Sequence, residues 1–365
     1  MSFSSRNLSC SVIPNLSSQQ NIAAYSSKEI FEVDHVDIPL QVPHSIRRKV
    51  IFALSSIATL GLVPLAAYGA SKLIPTIILP ALFAEEKRKI FCKELKQGYL
   101  RGYCHREFDL KTKDGTVVNG VVLLRDDHTK EAFVAKKAGD QKWIVRFNGN
   151  NEFYEDNLEG TKKFADSVEA NILVFNYRGV GDSQRSPTKP EDLIMDGEAC
   201  IQYLLSKGVK EENILIHGLS LGGGIGSQVA SLHEKIALVN ERSFSTLTTV
   251  ASALTNSSLA KSLLLSFGWE LDSVKAYEKI KAAKLVVYHK QDAVMPYLKA
   301  SLYNALKEQF KEKNAGVKPL KVKLQRKFQR LTSDAHNYSL LKDEAYPQIQ
   351  SFMKKFFNTK IDVQE

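Results

Sequence analysis

From about Gly98 onward, short apolar runs alternate with stretches of helical periodicity. Arg106–Thr112 and Val117–Leu124 flank Lys113-Asp114-Gly115, a pattern that predicts a β-hairpin. Trp143–Phe147 is an apolar strand, Tyr154–Val168 a helix, Asn171–Tyr177 a buried strand and Pro190–Lys207 a helix with Pro190 near its start. Asn213–Ile216 leads into a glycine-rich stretch that opens another helix. Ile236–Asn240 and Leu285–Tyr288 are further strands. Tyr297–Phe310 reads as a helix, Lys321–Leu331 as a last strand and Pro347–Phe357 as a closing helix. Strands alternating with helices predict an α/β fold, a mostly parallel sheet covered on both faces. The first hairpin would supply antiparallel edge strands.

Upstream the pattern differs. Residues 1–49 are rich in Ser, Asn and Gln without sustained periodicity, and most of them are expected to be poorly ordered. The first apolar run begins too late for a signal peptide. That run, Val50–Ala70, carries no charge, and a second follows from Leu73 to Ala84. A spanning helix needs ~20 mostly apolar residues, so the first run is long enough. Arg47-Arg48-Lys49 and Glu85-Glu86-Lys87-Arg88-Lys89 flank the pair, which suits a hairpin with both ends on the cytoplasmic face. Pro64, Pro75 and Pro80 interrupt it, which equally suits one tilted span with an interfacial tail. A buried helical pair covering the following domain is the soluble alternative. The expected organisation is 1–49, a hydrophobic membrane segment at 50–84, and a catalytic domain at 98–358.

Composition changes this picture little. Of 365 residues, 44% are hydrophobic and 25% charged, ordinary values for a folded chain. Cys10, Cys92, Cys104 and Cys200 have neither disulfide-framework nor metal-ligand spacing. No cofactor or metal is expected, and no phosphate-cradling G-K-[ST] loop exists. The net charge of +10 suggests an anionic neighbour. No zinc-finger, RNP-type or basic-heptad module accompanies it, so a membrane surface is favoured over nucleic acid.

The chemistry gathers around Gly218-Leu219-Ser220-Leu221-Gly222, a G-x-S-x-G pentapeptide between strand and helix. In that setting the turn is tight enough to require small residues two before and two after the serine. A glycine-packed βα turn is the bland alternative. A serine hydroxyl needs a histidine base, and the histidine needs a carboxylate to hold its tautomer. Asp292 follows the Leu285–Tyr288 strand and is the candidate acid. Glu241, after the preceding strand, is the alternative acid. His336 is the only histidine beyond Asp292 and precedes the last helix, which makes it the candidate base. His217 and His289 read as structural, and His233 as a surface residue at a helix end. Two backbone N–H donors should hold a developing oxyanion: Leu221, after the serine, and Asn150, in the Asn148-Gly149-Asn150-Asn151 turn after Trp143–Phe147.

From about Tyr103 to Phe357 the chain resembles the α/β-hydrolases. The resemblance rests on Asn148-Gly149, where that family usually has His-Gly, on Tyr177-Arg178-Gly179-Val180-Gly181-Asp182-Ser183, on the pentapeptide, and on Asp292 with His336. The second motif resembles a turn of the Bem46-like, ABHD-type branch, where it is a structural loop near the oxyanion hole. The apolar N-terminus and the Asn-Gly variant also resemble the chlamydial CHLPS-type hydrolase-like family. Asn148, Lys290 and Ala335 depart from the usual histidine and glycines. None of the three removes a triad member.

The resemblance implies a serine hydrolase that cleaves an ester or thioester; the apolar runs and basic charge add a membrane association, and with the site close to a bilayer a lipid or acyl substrate is expected. A catalytically weak or inactive hydrolase-fold membrane scaffold is the alternative. Residues 243–281 fall where lids are inserted, and the apolar stretch Ser258–Trp269 suits an acyl pocket or ordinary packing. The basic run from Lys311 to Arg330 suits a solvated face or contact with anionic lipid.

Overall fold

The computed structural model describes residues 104–124, 139–313 and 319–358, with short pieces at 9–10, 29–32, 74–75, 77–79 and 81. Ten strands form one sheet: β1 (Ser9–Cys10), β2 (Glu29–Glu32), β3 (Cys104–Lys111), β4 (Val117–Leu124), β5 (Trp143–Phe147), β6 (Asn171–Phe175), β7 (Ile214–Leu219), β8 (Ala237–Glu241), β9 (Lys284–Tyr288) and β10 (Lys321–Lys323). The order from the edge is β3-β4-β6-β5-β7-β8-β9-β10, with β1 and β2 both pairing beyond β3. β5 through β10 run parallel, while β4 is antiparallel to both β3 and β6. The strand that leads to Ser220 is therefore interior, flanked by β5 and β8.

Helices cover both faces. α1 (Tyr154–Val168) and the closing helix α9 (Tyr346–Asn358) lie on one side; α2 (Pro190–Ser206) and α3 (Leu221–Ala230) lie on the other. Alternation within β7 sorts the core. Ile214 and Ile216 enter the α2/α3 cluster, and Leu215 enters the α1/α9 cluster. Residues 243–281 form α4 (Leu247–Thr255), α5 (Ser258–Ser266) and α6 (Ser273–Lys279).

Two expected elements differ. The 297–310 helix starts at Leu302 instead, as α7 (Leu302–Lys313). Residues 293–300 are spent in turns, and Ser301 bridges to Phe244. The 321–331 strand stops at Lys323, because Asp343 takes the N–H groups of Gln325 and Arg326 while the Arg326 carbonyl faces His289 Nε2 at 2.7 Å. Those backbone groups have no sheet partner left to offer. Within 1–49, most of which is expected to be poorly ordered, the described pieces 9–10 and 29–32 add short strands on the otherwise open edge of β3.

The membrane segment falls largely outside the described residues. Among the described residues no helix is long and apolar enough to cross a membrane. Of the second apolar run, Ile74, Ile78, Leu79 and Ala81 are buried in the α2/α3 core cluster. Those four side chains face protein, as the buried alternative anticipates.

Candidate active site

Ser220 joins β7 to α3 with φ 54° and ψ −118°, a conformation that costs a non-glycine residue about 1–3 kcal/mol. The flanking glycines explain how the turn closes. A Cβ at Gly218 would stand 2.3 Å from the Gly222 carbonyl oxygen, and one at Gly222 would stand 2.2 Å from that of Phe147. Gly222 therefore presses the start of α3 against the end of β5 and the Asn148 carbonyl. The Ser220 N–H donates to the Glu241 carbonyl at 2.9 Å, and Ser243 Oγ donates to the Ser220 carbonyl at 2.7 Å. The turn is thus tied at Ser220 N–H to the end of β8 and at its carbonyl to Ser243, two residues beyond that strand.

Asp292 and His336 come together from the β9 end and from the four-residue helix α8 (Asp334–Asn337). His336 Nδ1 lies 2.7 Å from Asp292 Oδ2, and both side chains are buried. Asp292 Oδ1 accepts the N–H groups of Val294 at 2.9 Å and Met295 at 2.7 Å, which fixes the carboxylate's rotation. A bridge between Asp292 and Thr332 holds the two loops side by side. With Nδ1 turned to the carboxylate, Nε2 is left as the imidazole's proton acceptor.

Glu241 is engaged elsewhere. Its carboxylate meets His217 Nε2 at 2.8 Å, Arg146 Nη1 at 3.4 Å and the Arg242 guanidinium. Burial alone would raise its pKa, but Arg242, His217 and Arg146 outweigh that and hold it well below the usual carboxylate range. Burial and the Arg146 charge keep His217 below its ordinary value despite the Glu241 hydrogen bond. His289 is likewise internal, with Nδ1 accepting the Gln291 N–H at 2.9 Å. His233 corrects the expectation of a surface residue. It is buried between Glu198 (3.0 Å) and Glu211 (2.8 Å), and although burial lowers its pKa, those carboxylates raise it overall.

Leu221 is the first residue of α3, so its N–H has no partner within the helix. Asn150 is exposed in the turn after β5. Asn148 is buried, with Nδ2 donating to the Phe175 carbonyl at 2.8 Å and its own carbonyl accepting the Tyr177 hydroxyl at 3.3 Å. Next to it, the Gly149 N–H donates to Glu152. The Tyr177–Ser183 loop is a buttress. Arg178 binds Asp114 and Asp196, Gly179 and Gly181 take positive φ, and Ser183 Oγ bonds the Asn176 carbonyl. Ala335 is fully buried, and its carbonyl accepts from Arg242 Nη1 at 3.3 Å. Lys290 is exposed over the Tyr297 ring.

Sequence reasoning passed over Arg146 and Arg242. Arg242 also donates to the Tyr338 carbonyl at 3.0 Å, so it braces both sides of His336, from a backbone with φ 45°. The available signals were an arginine inside the apolar run Trp143–Phe147 and an Arg directly after Glu241.

Several known proteins are similar to this chain. Bem46 of Schizosaccharomyces pombe is 22% identical over 202 residues, 54% of this chain and 62% of that protein. The α/β-hydrolase domain-containing protein WAV2 of Arabidopsis thaliana is 27% identical over 168 residues, covering 42% of this chain and 54% of WAV2. The chain thus spans under two thirds of either relative. Among solved structures, an esterase of Pyrococcus furiosus superposes with a TM-score of 0.52 at 14% identity, covering 72% of this chain and 93% of the esterase. That likeness concerns the fold. A profile of the family described as "Chlamydia CHLPS protein (DUF818)" matches residues 22–323, so the chain belongs to that family, within the Bem46-like branch of the α/β-hydrolases.

Proposed function

We propose that the protein is a serine hydrolase that cleaves an ester or thioester through an acyl-enzyme. Ser220 Oγ attacks the acyl carbonyl carbon while His336 Nε2 takes its proton. Asp292 holds the imidazole and stabilises the cation that forms. The N–H groups of Leu221 and Asn150 receive the developing oxyanion. Collapse of the tetrahedral intermediate expels the alcohol or thiol, which takes the proton from His336. Water, deprotonated by the same nitrogen, then releases the carboxylic acid and restores Ser220. The observation that carries this reading is the coexistence of a strained, glycine-enclosed serine (φ 54°) with a buried carboxylate–imidazole pair at 2.7 Å. The Pyrococcus neighbour is an esterase, which agrees with it.

The preferred substrate carries an apolar acyl chain and is met at a membrane, with the catalytic domain on the cytoplasmic side. Leu254, Leu259, Leu263 and Leu265 on α4 and α5 are 43–64% exposed, and only Leu264 of α5 is buried. Lys321, Lys323, Arg326, Lys327 and Arg330 are exposed and suit anionic lipid, at ~1 kcal/mol per charge. The uncharged run Val50–Ala70 supplies a second membrane signal.

Hydrolysis of p-nitrophenyl esters of increasing chain length tests both parts. Turnover that rises with chain length and disappears in Ser220→Ala is expected. Turnover unaffected by Ser220→Ala refutes the mechanism, and a preference for acetyl over longer chains refutes the apolar-substrate reading.

A further inference from the structure

Strands β5 through β10 run parallel, so their C-terminal ends lie along one edge of the sheet, the edge at which β7 delivers Ser220. The connections that leave β8, β9 and β10 at that end are tied to one another. The Ser245 N–H donates to the Ala300 carbonyl at 2.7 Å, the Leu302 N–H donates to the Ser243 carbonyl at 3.0 Å, and Asp292 bridges to Thr332. Eight large hydrophobic side chains are exposed among the described residues, and six of them stand in these connections: Leu254, Leu259, Leu263, Leu265, Leu298 and Leu331. Exposed leucines gathered at one end of a domain mark a surface that something covers.

Charge on the same connections says what that is. Lys261, Lys290, Lys299, Arg326, Lys327 and Arg330 are all exposed there. The carboxylates are fewer and mostly engaged. Glu270 accepts from the Thr248 hydroxyl and the Leu271 N–H, Asp272 pairs with Lys275, and Asp292 meets His336, which leaves Asp334 as the exposed one. Lys261 and Lys299 line a cavity of about 260 Å³ together with Ser252, Asn256 and Ser258, and no carboxylate lines it. Neither lysine has an ion pair among the described residues. Lys261 and Leu265 stand four residues apart on one face of α5, and Leu298 adjoins Lys299, so each cation has a leucine beside it. A second copy of this chain would set cations against cations across the contact, and a free phosphate would leave the leucines bare. An anionic bilayer suits both, with headgroups at the lysines and acyl chains at the leucines.

We propose that this end of the sheet, from α4 and α5 to the 326–331 loop, docks on a bilayer of anionic phospholipid. Headgroup phosphates enter the cavity between Lys261 and Lys299, and the Ser220 turn opens toward the membrane. The inference rests on the membrane half of the function proposed above and names the surface that meets the lipid; it does not depend on turnover.

The test places a tryptophan at either end of the sheet in the 365-residue chain, in a Ser220→Ala background that consumes no lipid. Leu263→Trp lies on the proposed face, and Lys210→Trp lies before β7 at the opposite end. Both positions are exposed, so each variant should keep the fold, with circular dichroism as the control. Trp143 and Trp269 are buried and give a constant background. Each variant is mixed with vesicles of phosphatidylcholine brominated on its acyl chains, with and without phosphatidylglycerol. The expected result is quenching of the added emission in Leu263→Trp, stronger with phosphatidylglycerol, and none in Lys210→Trp. Adding Lys261→Gln and Lys299→Gln should lower the partition coefficient about twenty- to thirtyfold, about fivefold per charge. Equal quenching at both positions, or quenching in Leu263→Trp that is indifferent to phosphatidylglycerol and to the two lysines, overturns the proposal. Vesicle binding without quenching in Leu263→Trp also overturns it and leaves the membrane reading to the Val50–Ala70 run, whereas no vesicle binding at all overturns both. A soluble dimer that Leu263→Ser dissociates, with no vesicle binding, would assign the face to a second copy instead.

Discussion

Replacing Asp292 with asparagine should leave the fold intact and remove nearly all turnover. The reason lies in how the carboxylate is held. Oδ1 accepts two backbone N–H groups, from Val294 and Met295, and Oδ2 faces His336 Nδ1 at 2.7 Å. An asparagine keeps the two backbone bonds only by putting its carbonyl oxygen in the Oδ1 place. Its NH₂ must then face Nδ1, so the imidazole has to offer a lone pair there and carry its proton on Nε2. In that tautomer Nε2 cannot accept the serine proton. Loss of the correct tautomer is worth about 10⁴-fold in kcat, or about 5 kcal/mol of transition-state stabilisation. The assay is kcat on a p-nitrophenyl ester at pH 7.5, with circular dichroism and Tm as controls on folding. A folded Asp292→Asn protein within tenfold of wild type would refute the assignment of Asp292 as the orienting acid.

Four other outcomes follow from the same geometry. Gly222→Ala puts a Cβ 2.2 Å from a backbone oxygen and should destabilise by at least about 1–3 kcal/mol in denaturant unfolding. Gly160→Ala, in open space on α1, should instead stabilise by about 0.5–1 kcal/mol. His217 and His233 should show opposite pH signatures. The lowered pKa of His217 means that its stabilising contribution is full above 6.5 and lost as pH falls through the folded value, whereas the raised pKa of His233 means a contribution full below 6.5 and lost as pH rises through its folded value. Unfolding free energies from pH 5 to 8 for His217→Gln and His233→Gln, each against wild type, check both signs. Replacing Leu259, Leu263 and Leu265 with serine should leave Tm within about 2 °C, because all three are exposed, and should lower activity on long-chain esters more than on acetate.

Much of the fold was legible because buried parallel strands write themselves as short apolar runs bounded by glycine and polar turns. Trp143–Phe147 and Tyr154–Val168 fall where the pattern puts them. Lys321–Leu331 was not legible as a loop, because its backbone is satisfied by Asp343 and His289, partners that only the tertiary fold brings near. Chain order identified Asp292 and His336 as candidates, and their contact is a tertiary fact. Order alone left Glu241 open as the acid. It is the register of β5, β7 and β8 that surrounds Glu241 with His217, Arg146 and Arg242. His233 was misread for a similar reason: its carboxylate partners lie 22 and 35 residues away in sequence.

The central claim, that Ser220 is an activated nucleophile, is tested most directly by labelling the 365-residue chain with a fluorophosphonate and mapping the adduct by mass spectrometry. The account predicts a single adduct on Ser220, absent in Ser220→Ala and strongly slowed in His336→Gln. No labelling under conditions where a control serine hydrolase reacts fully, or an adduct on another residue, would contradict it.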